Sequence, residues 1–77
     1  MTQANYWVLA YGLDCDGYNR GSVTPFDNMV AGRIYADECN HHSDGINYET
    51  TSNWNVVLQY CESYNLNPDN YKTTLEQ

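Results

Sequence analysis

Residues 6–13 read YWVLAYGL. Aromatic and β-branched side chains dominate this stretch, which predicts a β-strand. Alternation along a strand puts Trp7, Leu9, Tyr11 and Leu13 on one face and Tyr6, Val8 and Ala10 on the other. Both sets are largely apolar. A strand with one wet face would alternate apolar with polar, so this one is expected at the centre of a sheet, covered on both sides. The rest of the chain has to supply its neighbours and its cover.

After it comes DCDGYNRGS, dense in Asp, Gly and Asn, which turns the chain. A short return strand is expected over residues 18–23. Thr24-Pro25-Phe26-Asp27 then reads as a helix start: a capping Thr, a Pro suited to the first turn, and an acidic side chain near the helix N-terminus. Phe26, Met29, Val30 and Ile34 recur at helical spacing and are expected to form the buried stripe. Gly45 supplies a stop. Ile46, Tyr48 and Thr50 alternate with Asn47, Glu49 and Thr51, the pattern of a strand with one wet face. Thr51-Ser52 is expected to open a last helix. On it, Trp54, Val57, Leu58, Cys61 and Tyr64 fall on one stripe. The helix should end near Asn65, since Pro68 blocks continuation, with one more turn possible in the tail.

The expected fold is therefore a small α+β two-layer sandwich, one domain spanning residues 1–77. Its sheet has two or three strands, both helices lie on one face, and the order is β-(β)-α-β-α.

Leu, Ile, Val and Phe together make only 13 of the 77 residues. The eight Tyr and two Trp offset this shortage, because each large ring buries more area than an aliphatic side chain. The formal net charge is −7, from ten Asp and Glu against Arg20, Arg33 and Lys72. Such a chain repels phosphate, which excludes direct nucleic-acid binding, and it also repels anionic membranes. Basic surfaces attract it, and its summed field speeds the encounter. The same acidity would also serve simply to keep a small protein soluble. Three cysteines, an odd number, suggest reduced thiols and a cytoplasmic setting rather than a disulfide framework. The apolar run near the N-terminus lacks a basic flank and is too short for a leader or a membrane span.

Chemistry-bearing side chains crowd into residues 37–45, DECNHHSDG. If the helix persists to residue 42, Glu38, Cys39 and His42 share a side that points to solvent, with Tyr35 on the same side. A Cys–His pair could activate a thiolate, and Cys, His and Asp are competent zinc ligands. Against this, a convex helix face offers neither a pocket nor an oxyanion donor, and the spacing of a four-ligand zinc site is missing. His near a helix C-terminus is favoured by the macrodipole alone. The stretch reads as a helix end, and no catalytic residue, metal ligand or cofactor is expected. Asp14-Cys15-Asp16-Gly17 resembles the opening of a calcium loop, but the sixth and twelfth positions are Asn19 and Pro25 rather than Gly and Glu, so a tight turn is the better account.

Asn occurs ten times and Tyr eight, the vocabulary of adaptable binding surfaces. Tyr18, Tyr35, Tyr60 and Tyr71 fall off the cleanest stripes and are expected to be partly exposed. In size, acidity and compartment the chain resembles the small acidic inhibitors encoded by phages and mobile elements, including anti-CRISPR and anti-restriction proteins. Some of that class imitate DNA with surface carboxylates. The resemblance implies a partner with a basic, nucleic-acid-binding surface, such as a host CRISPR or restriction complex, met in the host cytoplasm. Under that reading the partner-binding candidates are Asp14, Asp16, Asp27, Asp37, Glu38, Asp44 and Glu49, with Tyr18 and Tyr35 as anchors. Two other classes stay open: a small metal- or thiol-dependent enzyme using residues 37–45, and a passive structural or assembly subunit of a phage.

Overall fold

The computed structural model describes residues 3–13, 19–42 and 45–73. Strands β1 (Tyr6–Leu13), β2 (Asn19–Phe26) and β3 (Ile46–Thr51) form one antiparallel sheet in the order β2-β1-β3. Helices α1 (Met29–His42) and α2 (Trp54–Tyr64) complete the order β-β-α-β-α, and a short 3-10 turn covers Pro68–Tyr71. The class is α+β, and YWVLAYGL is the central strand.

The helices are not on one face, as expected from the sequence, but on opposite faces. Alternation along β1 explains why. Trp7, Leu9 and the paired Val23 meet Val57 and Cys61 of α2, ringed by Trp54, Tyr60, Leu66 and Tyr71. Tyr6 and the paired Phe26 lie instead under α1, where a side chain on Gly32 would collide with the Tyr6 ring at 2.5 Å. Val8, one strand position from Leu9 and on the α1 side, is almost wholly buried. A central strand apolar on both faces needs cover on both, so one helix goes to each. The chain path delivers it: β2 and β3 run parallel to each other on either side of β1, and α1 crosses over one face to connect them.

The return strand is longer than expected. Thr24, Pro25 and Phe26 do not start a helix; they are the end of β2, opposite Val8, Trp7 and Tyr6. Pro is tolerated there because β2 is an edge strand, where an outward-facing position needs no N–H donor. The helix begins at Met29, and Asn28 caps it: its side-chain oxygen accepts from the Val30 N–H at 2.7 Å and the Ala31 N–H at 3.2 Å.

Helix α2 is capped by Asn53 rather than opened by Thr51-Ser52; the Asn53 side chain accepts from the Asn55 N–H at 2.9 Å. Thr51 is still in β3. At the other end Asn65 adopts a left-handed conformation (φ 60°), and the Leu66 N–H reaches back to the Cys61 carbonyl at 2.8 Å. Leu66 thereby packs against the core, a Schellman closure with its hydrophobic contact. The Trp7 indole N–H donates to the Tyr71 carbonyl at 2.7 Å, so the largest core ring has its polar atom satisfied.

Candidate functional site

Helix α1 turns its smallest residues inward. Gly32 and Ala36 are its buried positions, one helical turn apart, and they let the backbone sit close to the sheet. Bulk on that side comes from below, from Tyr6, Phe26 and Tyr48. The stripe expected in the core is consequently outside: Met29 is 48% exposed, Val30 61% and Ile34 53%. At 3.6 residues per turn, Val30, Ile34 and His41 line up along the solvent side, with Asp37 and Glu38 diverging to either flank of the ridge. Asp27, also exposed, lies in the turn just before the helix.

Of the sequence-derived candidates, Asp37, Glu38 and Asp27 thus gather on or beside α1. Among the described residues they make no ion pair, whereas Lys72 and Asp69 pair at 3.2 Å. Glu49 is separated from them, on the α2 face of the sheet, where its carboxylate accepts from the Tyr11 hydroxyl at 2.9 Å. Because β3 is an edge strand, Glu49 still reaches the rim of a polar groove of about 400 Å³, lined also by Arg33, Asp37, Asn40, Tyr48 and Thr50. Asp14, Asp16, Tyr18 and Asp44 lie outside the described residues.

Tyr35 is less free than expected. Its ring packs against Phe26 (centroids 5.4 Å apart) and meets the Tyr48 ring edge-on at 6.4 Å. A hydrogen bond with Thr24 favours ionisation of its hydroxyl, but burial and the Cys39 thiol outweigh it and hold the pKa above the ordinary tyrosine value. Tyr35 is a strut between helix and sheet that shows one edge to solvent. Cys39 likewise turns partly inward and does not share the open side of Glu38 and His42. His41 and His42 touch edge to face at 5.0 Å, both exposed. Residues 37–42 are indeed the last turns of α1, and no group of three metal-ligating side chains occurs among the described residues.

Sequence reasoning missed a further residue, Asn40. Its side-chain amide donates to the Tyr48 carbonyl at 3.1 Å, and its oxygen accepts from the Tyr48 N–H at 3.0 Å. The amide occupies the place a neighbouring strand would take and closes the middle of the β3 edge. Asn at a helix position gives no local hint of this. A second concavity, of about 540 Å³, lies at the other end of the sheet between Trp7, Trp54, Ala4, Gln3, Lys72 and Thr73.

Comparison with protein-family models, with curated proteins and with solved structures finds no match to this chain. No described helix is long and apolar enough to cross a membrane.

Proposed function

We propose that this chain works by binding: it is an acidic inhibitor that occupies a basic, nucleic-acid-handling surface of another protein, such as a CRISPR or restriction complex, in the cytoplasm of a host cell. The observation that carries this reading is the outer side of α1. Asp37 and Glu38 stand exposed there and form no ion pair among the described residues, in a chain of net charge −7. Exposed carboxylates of this kind are available to meet cations on a partner, where they steer the encounter and set its salt dependence. Asp27 before the helix and Glu49 at the β3 rim widen the acidic area, and Tyr35 offers a partly exposed ring at its margin. The outward ridge of α1 is convex and suits occupation of a groove on a partner.

A competition assay tests this. Purified defence complexes are titrated with the protein in the presence of their labelled DNA or RNA. Binding should exclude the nucleic acid, and replacing Asp37 and Glu38 with Asn and Gln should slow association at low salt while mattering little in about 1 M salt, where the Debye length is about 3 Å. A complex that holds this protein and its nucleic acid together, neither weakening the other, defeats the reading.

A further inference from the structure

Solvent-exposed aliphatic side chains on a helix that has apolar residues to spare demand an occupant. Val30 and Ile34 are more than half exposed and lie one turn apart. Scattered single apolar residues on a surface need no explanation, but two branched ones stacked on the outward ridge of one helix, flanked by Asp37 and Glu38, form a patch with a charged rim. That is the layout of a binding hot spot: an apolar centre that excludes water, and a rim that sets rate and register.

We infer that the Val30–Ile34 ridge of α1 is the anchor of the interface, and that the basic surface it meets carries an apolar strip between its Lys or Arg side chains. Charge complementarity selects this occupant. A second copy of the chain would bring Asp37 and Glu38 toward another acidic surface, with −7 on each molecule, and would be repelled. A lipid surface with anionic headgroups is repelled for the same reason. The inference rests on the binding role proposed above and changes its balance: the carboxylates bring the partners together, whereas the aliphatic ridge holds them. A purely electrostatic imitation of nucleic acid would need no such ridge.

The probes are two labelled peptides of equal length and charge, one an amphipathic helix of Lys and Leu, the other the same peptide with every Leu replaced by Gln, titrated by fluorescence anisotropy at low and high salt. The wild-type protein should bind the Lys–Leu peptide roughly tenfold more tightly than the Lys–Gln peptide, and retain that binding in high salt. Val30→Ser with Ile34→Ser should abolish the difference. The double variant should fold, since both side chains are already in water, and its far-ultraviolet circular dichroism checks this. Val56→Ser with Leu58→Ser, on the half-exposed flanks of α2, is the matched control and should keep the difference. Equal affinity for the two peptides, or an equal loss in the α2 control, overturns the inference and leaves the acidic-binder reading intact. If neither peptide binds at low salt, the attraction to basic surfaces itself fails. A wild-type dimer in sedimentation that the Val30/Ile34 variant dissociates would assign the ridge to self-association and overturn it as well.

Discussion

Tyr60 sits inside the ladder between β1 and β2. Its hydroxyl donates to the Ala10 carbonyl and accepts from the Ser22 N–H at 3.0 Å, so it bridges the paired residues Ala10 and Ser22. The opening is possible because the neighbouring Gly21 has no side chain; a Cβ there would lie 2.5 Å from the Tyr64 ring and 2.8 Å from the Tyr60 oxygen. Tyr60→Phe leaves a donor and an acceptor unsatisfied, which should cost about 1–3 kcal/mol in urea denaturation. Burial pushes the Tyr60 pKa up to about 12 from the usual 10.0. The folded state thus holds this proton where the unfolded chain releases it. Its contribution is fully present below about pH 10 and is lost as pH rises toward about 12. Denaturation midpoints measured across that window should fall less steeply for Tyr60→Phe than for the wild type; parallel slopes would place the hydroxyl in water. Val57 and Leu58 offer a second comparison. Val57 is 0% exposed and Leu58 38%, although the sequence stripe included Leu58. Val57→Ala should therefore cost about 2 kcal/mol and Leu58→Ala about 1 or less, despite the larger deletion in Leu58. The reverse order would rotate α2 on the sheet.

Edge strands expose unpaired backbone groups that recruit other chains, and this sheet has two edges. On β2, Pro25 removes one donor. On β3, the Asn40 amide covers both backbone groups of Tyr48, the central outward position of a six-residue strand. Asn40→Ala should cost about 1–2 kcal/mol, because Tyr48 lies partly buried under α1 and water replaces the amide only in part. It should also expose a length of free edge. Sedimentation velocity over a range of concentrations should then reveal self-association absent from the wild type. A variant that stays monomeric and equally stable would reduce Asn40 to a decorative contact. Helix α1 is held by this clamp, by the Tyr35 ring and by the close approach at Gly32, and by few aliphatic contacts; its aliphatics face outward. An element built so is anchored through polar and aromatic groups while keeping an apolar ridge free.

Like charge dominates the surface of the molecule. Asp27, Asp37, Glu38, Glu49, Glu62 and Asp69 are all exposed, and so are the cations Arg33 and Lys72. Arg33 is turned toward the sheet, where its Nε donates to the Tyr6 hydroxyl at 3.3 Å. The Lys72–Asp69 pair is well exposed on both sides, and such pairs contribute little. Net self-repulsion therefore outweighs ion pairing, so raising NaCl from about 0.02 M to about 0.5 M should increase the thermal midpoint by a few degrees. A midpoint that falls with salt would mean that specific ion pairs, rather than repulsion, govern the folded state.

Local pattern was enough to read β1 as the central strand, β3 as a half-wet strand, the Trp54–Val57–Cys61 stripe of α2, and the helix stop between Asn65 and Pro68. Each of these depends on residues close together in the chain: alternation, helical spacing, a left-handed Asn, a Pro. The net charge was legible in the same way. The placement of α1 was not. Helical periodicity marks Met29, Val30 and Ile34 as one apolar stripe but does not say which side of the helix meets the sheet. That choice followed from Tyr6, Phe26 and Tyr48, residues 14 or more positions from Ile34 in two cases, whose rings fill the space beneath α1 and leave room only for Gly32 and Ala36. Likewise Thr24, Pro25 and Phe26 have the residue types of a helix start, and became strand because the free side of β1 offered hydrogen bonds and an apolar face to Phe26. The placing of Glu49 on the α2 face of the sheet, at the rim of a groove that Asp37 also lines, came from long-range pairing, which no short stretch of chain encodes.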